Sequence, residues 1–200
     1  MSAALDVPVA RPLVVRFRPV VDLTDDQFYE FCVLNRDLRI ERTAQADVVI
    51  MSPAGTRSGN RNAKLVGQLV LWAESDGTGE VFDSSAGFTL PNGAVRAPDA
   101  AWVPKARLAQ LTTEQQEKFA PLCPDFVAEL RSPSDALSEQ QEKMEEYLAN
   151  GSRLGWLIDP LSRRVYVYRP DRAVEELDNP QTLSGEPVLA GFVLDLRKIW

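Results

Sequence analysis

Residues 124–160 read PDFVAELRSPSDALSEQQEKMEEYLANGSRLGWLIDP. A short apolar run carrying Glu129 is followed by a turn, a charged amphipathic segment and a second apolar run that ends at Asp159 and Pro160. The pattern predicts a strand, a helix and a second strand. At a strand's two-residue period, Phe126, Ala128 and Leu130 face one way, and Val127, Glu129 and Arg131 face the other. A charge in the middle of an apolar strand must be paired, bound to a metal ion or open to a cleft, because burying it bare is costly. On the intervening helix Met144, Tyr147 and Leu148 form the packed stripe, and Asn150-Gly151 ends it. Lys143 lies beside that stripe, four residues from both Glu139 and Tyr147. It could form a surface ion pair with Glu139, or point across the end of the sheet toward the carboxylates.

Upstream, Thr24 and Gln27 form a capping-box pattern after Leu23, so a helix is expected to start there and end near Asn35. Residues 38–42 and 47–51 read as two antiparallel strands joined through Ala44 to Ala46. Glu41, in the first, could be a solvent-facing residue paired with Arg39 or Arg42. Leu65, Val66, Leu69, Val70 and Trp72 give the next helix its apolar face. Arg57, Arg61 and Lys64 cluster at its entry, either as a solvated helix start or as a patch that contacts phosphate. Short strands are expected at Val81-Phe82, Phe88 to Leu90 and Val95 to Val103, with a tight turn at Pro91-Asn92-Gly93. Pro98 favours a strand end and delivers Asp99 just before Ala100, Ala101 and Trp102. Lys105 to Ala120 reads as a linker with one or two short helices, the second capped by Thr113 with Gln116. After the opening stretch come a hairpin of 154–158 with 163–168, a strand at 172–177 and a closing segment around Phe192 to Leu196. With no internal repeat or low-complexity linker, the expected organisation is an N-terminal arm, 1–21, and one domain, 22–200.

The 200 residues carry 22 Lys and Arg against 29 Asp and Glu, for a net charge of −7. Such a balance argues against a surface that coats nucleic acid generally, while leaving room for a local basic cleft. Histidine is absent, which removes every mechanism built on an imidazole base. Acid-base or metal chemistry must therefore use carboxylates, lysine, arginine, hydroxyls or water. Cys32 and Cys123 have no metal-ligand spacing and read as buried free thiols. No segment is apolar enough to span a membrane and no signal core is evident, so a cytoplasmic protein without a membrane partner is expected.

Asp99 and Glu129 stand on two strands that can pair in one sheet. If they converge, their repulsion calls for a cation, and a histidine-free set of hard oxygen ligands favours Mg2+, with Mn2+ as its substitute. Arg131 shares the Glu129 face but stays protonated, which leaves Lys143 as the other candidate amine. Taken alone, Asp99 could equally cap a turn.

The ordered set Arg39-Ile40-Glu41 to Met51-Ser52-Pro53, Gly87-Phe88, Pro98-Asp99-Ala100-Ala101-Trp102, Cys123-Pro124-Asp125, Glu129 to Asp135, Lys143-Met144, Tyr147 and Gly155 to Pro160 resembles the putative restriction endonuclease family abundant in cyanobacteria. That family belongs to the PD-(D/E)xK nuclease superfamily, and the resemblance covers about residues 20–197. It implies an α/β fold, a mixed central β-sheet flanked by helices as in restriction endonucleases, with a site for metal-dependent phosphodiester cleavage. By the resemblance Asp99 matches the PD aspartate and Glu129 the second acidic position. Arg131 stands where the superfamily carries lysine, Lys143 matches the lysine this family carries on the following helix, and Glu41 matches an upstream acidic position. The expected activity is a Mg2+-dependent endonuclease on DNA, double-stranded by analogy. Glu41, Asp99 and Glu129 would bind the metal, Asp99, Glu129 and Lys143 would be catalytic, and a homodimer could pair two sites. The alternative is a non-catalytic nucleic-acid or protein-interaction module on a nuclease fold.

Overall fold

The computed structural model describes residues 12–200. Of the expected N-terminal arm, residues 1–11 therefore lie outside the described residues, and the remainder contains the short strand β1 (Leu13–Val15). There follow α1 (Asp25–Leu34), β2 (Arg39–Arg42), β3 (Val48–Met51), α2 (Thr56–Asp76), β4 (Gly79–Asp83), β5 (Phe88–Thr89), β6 (Val95–Arg96) and β7 (Ala100–Pro104). Two short helices, α3 (Lys105–Leu108) and α4 (Thr113–Glu117), lead to β8 (Phe126–Leu130), α5 (Leu137–Ala149), β9 (Leu154–Asp159) and β10 (Arg164–Tyr168). The chain closes with β11 (Glu175–Asp178), β12 (Thr182–Ser184), β13 (Val193–Asp195) and a 3₁₀ turn, Leu196–Lys198.

These strands form a mixed six-stranded sheet in the order β11-β10-β9-β8-β7-β4, a five-stranded sheet in the order β1-β3-β2-β6-β5, and the ribbon β12-β13. Within the six-stranded sheet only β8 and β9 are parallel, and α5 is the crossover between them, as a parallel pair requires. The fold is α/β, a mixed sheet flanked by helices. Alternation along β8 decides what each face touches. Phe126 and Ala128 join Leu65, Leu69, Trp102, Trp156 and Ile158 under α2. Val127 points the other way, among Met144, Tyr147, Leu157 and Tyr166 under α5. The five-stranded sheet has its own small core of Phe28, Ile40, Val48 and Val95, closed by α1.

The start of α1 is the expected capping box, with Gln27 N–H donating to Thr24 and the Gln27 amide oxygen accepting from Thr24 N–H. At α4 the cap lies one residue earlier than expected: Thr112 and Gln115 make the reciprocal pair, rather than Thr113 and Gln116. A larger difference concerns residues 95–103, expected as one strand. They are two, β6 and β7, in different sheets. Pro98 has no N–H to give to a ladder, and the N–H of Ala97 is taken by the Glu41 side chain. The chain therefore leaves one sheet and enters the other at Ala97-Pro98-Asp99. Both thiols are free, Cys123 buried and Cys32 half-buried.

The partner strand β4 begins with a residue that fixes its approach to β7. A Cβ on Gly79 would lie 2.3 Å from the indole of Trp102, a rigid ring wedged against Trp72. We expect Gly79→Ala to destabilise the fold by about 1–3 kcal/mol through overpacking, measured as a lowered urea midpoint at unchanged m-value. A midpoint equal to wild type would show that β4 can shift away from Trp102.

Candidate active site

The register of β7 and β8 brings the first pair of carboxylates together. Ala100 lies opposite Ala128 in the antiparallel ladder, and continuing that register by one residue sets Asp99 beside Glu129. Asp99 Oδ2 accepts a hydrogen bond from the Leu130 N–H at 2.9 Å, so the aspartate is tied to the backbone of the strand that carries the glutamate. Glu129 shares the Val127 face of β8, under α5. Two residues one helical turn apart on α5 reach it there: Tyr147 donates its hydroxyl to Oε1 at 3.0 Å, and Lys143 Nζ lies 2.8 Å from the same oxygen.

Glu41 arrives from the other sheet. It is buried, against the expectation of a solvent-facing residue paired with Arg39 or Arg42. Its Oε1 accepts from Lys143 Nζ at 2.9 Å and from the Ala97 N–H at 3.1 Å, and its Oε2 accepts from Arg96 at 3.2 Å. Arg96 in turn holds Glu146 on α5 at 2.6 Å. The two arginines expected for Glu41 are engaged elsewhere. Arg39 bonds the Ala97 carbonyl at 2.8 Å and faces Asp99 at 3.4 Å, and Arg42 pairs with Asp25 and bonds the Gly93 carbonyl. Lys143 makes no pair with Glu139; with its side chain 11% exposed, it bridges Glu41 and Glu129. Asp99, Glu129, Lys143 and Glu41 thus converge.

Arg131 does not join them. Its guanidinium donates to Asp159 Oδ2 at 2.8 Å and to the Asp135 carbonyl at 3.1 Å, which ties the end of β8 to the end of β9. In the loop after β8 the Ser132 N–H donates to Asp135 Oδ2 at 2.7 Å. That loop forms one wall of a cleft of about 600 Å³, whose opposite wall is the first turns of α2 and whose floor holds Arg39, Asp99, Glu129 and Lys143. Arg39, Arg96 and Tyr147 are members of the site that sequence reasoning did not assign, Tyr147 having been read only as part of the packed stripe of α5. For Arg96 the signal was present, a lone charge between Val95 and Ala97, of the same kind that marks Glu129.

The two glutamates titrate in opposite directions although Lys143 is nearly equidistant from them. Burial opposes the ionisation of Glu41, but Lys143, Arg96 and the Ala97 N–H outweigh it and hold the carboxyl well below the usual range. At Glu129 burial is again the largest influence. Lys143 lowers the value, yet Asp99 and Glu41 add like charge, and the carboxyl is pushed up to about 7. Burial also works against the charge on Lys143, but the two glutamates more than compensate and keep it an ammonium.

The donor set fits a hard divalent cation in two of its three expected members. Asp99 and Glu129 stand side by side in the lining of the cleft, tied to neighbouring positions of the sheet by the Asp99 bond to the Leu130 N–H. Glu41 has its oxygens taken by Lys143, Ala97 and Arg96, and among the described residues no group of three or more His, Cys, Asp and Glu side chains is arranged to hold a metal ion. The expected cluster of three carboxylates is therefore not formed, because an ammonium lies between Glu41 and the others. Two carboxylates, with water and substrate phosphate completing the shell, are a usual way of holding Mg2+.

The profile of the Uma2 family, described as putative restriction endonuclease, matches residues 25–197, and the chain belongs to that family. Among solved structures it is similar to a putative nuclease belonging to DUF820 from Anabaena variabilis, with a TM-score of 0.71 and 22% sequence identity over 89% of this chain and 97% of the other. That likeness establishes a shared nuclease-like fold. No curated protein matches the chain.

The raised value of Glu129 has a consequence for stability. The folded state keeps this proton to about pH 7, whereas an unfolded glutamate releases it near 4.5. Its contribution is fully present below the unfolded value and is lost as pH rises through the folded one. In EDTA, wild type should lose about 1–3 kcal/mol relative to Glu129→Gln across that window, read from urea denaturation at stepped pH. Parallel curves for the two proteins would show that Glu129 is ionised throughout.

Proposed function

We propose that this member of the putative restriction endonuclease family is a Mg2+-dependent endonuclease that hydrolyses DNA phosphodiester bonds, with Mn2+ able to replace Mg2+ and double-stranded DNA as substrate. The observation that carries this reading is the juxtaposition, on the floor of one open cleft, of two carboxylates on adjacent strands and a buried ammonium 2.8 Å from one of them.

Asp99 and Glu129 are the residues that would hold the ion. When bound, it would supply Lewis-acid polarisation of the scissile phosphate and neutralise the charge shared by the two carboxylates. Lys143 is kept protonated by its two glutamates, so its role is that of a donor and a fixed positive charge, orienting the attacking water or stabilising the phosphate, rather than that of a base. Glu41 acts one step back: it holds the ammonium toward Glu129 and is itself held by Arg96 and the Ala97 N–H. Tyr147 orients Glu129 through its hydroxyl. Arg131, paired with Asp159, belongs to the support of the two strand ends. Two copies of the chain would be needed to cut both strands of a duplex at once.

A second reading rests on the absence, among the described residues, of a cluster of three metal-ligating side chains. In that case Lys143 permanently neutralises the site, and the cleft binds nucleic acid or protein without cutting. Calorimetric titration separates the two: Mg2+ or Mn2+ binding that is lost in Glu129→Gln favours the enzyme.

Incubation of circular and linear DNA with the purified protein should give cleavage in Mg2+ or Mn2+ and none in EDTA. Asp99→Asn, Glu129→Gln and Lys143→Met should each lower the rate by at least about 10²-fold, the scale seen when a charge-stabilising group is removed. Arg131→Lys should act mainly on the denaturation midpoint. Cleavage that survives in Glu129→Gln would rule out the proposed site.

A further inference from the structure

A second concentration of charge adjoins the cleft, and it is positive. Arg57, Arg61 and Lys64 recur along α2 at spacings of four and three, which puts them on one face of the helix. The turn between β9 and β10 brings Arg163, about a hundred residues away in sequence, to the same place, its backbone at φ 55°. These four side chains, with Ile199 and Trp200, line a hollow of about 410 Å³. Arg57 lines both this hollow and the cleft that holds Asp99 and Glu129, so the two adjoin at that residue.

Three observations set the group apart from an ordinary solvated helix face. The chain is acidic, and most of its described cations are paired with carboxylates. Arg57, Arg61, Lys64 and Arg163 form no ion pair among the described residues, a condition shared otherwise only by Arg36, Arg172 and Lys198. Next, the placement opposes helix stability. The first turn of α2 has no acidic residue and its Gly55 cap offers no side-chain acceptor, while a cation there meets the positive end of the helix dipole. Finally, Arg61 is not a loose surface arm. Its Nε donates to the Ile199 carbonyl at 2.8 Å, and burial together with Arg57 holds its pKa below the usual arginine value. Like charges gathered without counterions, at a cost to the helix that carries them, call for an anion from outside.

We propose that this strip binds the backbone phosphates of the nucleic acid beside the bond to be cut, so that the strand leaves the cleft across Arg57 and runs over Arg61, Lys64 and Arg163. The proposal rests on the reading of the cleft as a site for DNA hydrolysis. It also reconciles that reading with the net charge, because a locally basic track on an acidic protein confines phosphate binding to one path. Lysine and arginine contacts to phosphate position a duplex and do not select its sequence.

Fluorescence anisotropy in EDTA, with two unrelated labelled duplexes of about 30 base pairs, tests the strip without requiring turnover. The variant is Arg57→Gln/Lys64→Gln/Arg163→Gln, all three exposed, with Arg61 kept for its bond to Ile199. Its control is Arg36→Gln/Lys105→Gln/Arg172→Gln, which removes the same charge elsewhere. The strip variant is expected to bind both duplexes at least about tenfold more weakly at 50 mM salt, with a log–log salt slope shallower by about 2 to 3, at about 0.9 for each phosphate no longer neutralised. The control should stay within about twofold of wild type. A strip variant that matches the control overturns the proposal, as does a wild-type protein that binds neither duplex. Cleavage by wild type alongside an inert strip would sink the strip alone. Strip-dependent binding with no cleavage in Mg2+ would sink the enzymatic reading and leave the strip standing.

Discussion

An ammonium held between two buried glutamates is the interaction on which the rest of the site depends. Lys143 lies within 3 Å of an oxygen of Glu41 and of Glu129, and those residues belong to different sheets. Glu41 is buried as an anion against that ammonium and Arg96, whereas the Glu129 carboxyl, pushed up to about 7 by burial, leans on the same ammonium once it ionises. With Arg96 reaching from Glu41 to Glu146, the helix between the two parallel strands is pinned to both sheets through charge, on the side where the cleft opens. The apolar stripe of α5, Met144 and Tyr147, supplies the burial. Breaking the central ion pair would leave two carboxylates in a poorly solvated place, which costs several kcal/mol for a buried pair that loses one partner.

The same site is where the chain changes sheets. Pro98 cannot extend a ladder, Ala97 gives its N–H to Glu41 and its carbonyl to Arg39, and Asp99 takes the N–H of Leu130. The Ala97 N–H and carbonyl, left outside a ladder by the break between β6 and β7, are therefore satisfied by side chains of the candidate site, and those side chains are oriented by that backbone. The proline-aspartate step accordingly serves the topology and the site together, since delivering Asp99 to the strand end requires the ladder to stop just before it.

Asymmetry between the glutamates follows from the company each keeps. Glu41 has two cations and a backbone donor, whereas Glu129 has one cation, a phenol and two like-charged neighbours. One stays an anion well below the usual carboxylate range, the other is pushed up to about 7, and both help keep Lys143 charged. Outside the cleft, Arg57, Arg61 and Lys64 of α2 make no ion pair among the described residues, and Arg57 lines both the cleft and the basic hollow.

Much of this was legible in the sequence. The two-residue alternation through Glu129, the helical stripe of α5, the capping box at Thr24 and the hairpin at Glu41 are local patterns, set by periodicity and backbone chemistry within a few residues, and each reappears in the fold. The juxtaposition of Asp99 with Glu129 was suggested by a charge inside one apolar strand, Glu129, and another that Pro98 delivers to the start of the neighbouring one, Asp99. What required the tertiary structure was the choice of partners. Glu41 met Lys143 and Arg96 instead of its neighbours Arg39 and Arg42, Arg131 turned to Asp159, residues 95–103 split between two sheets, and Arg163 joined a cluster on α2. Each of these depends on which element lies across the gap. The energy of an ion pair is decided by burial and by the nearest opposite charge in space, and neither is encoded in a residue's sequence neighbours.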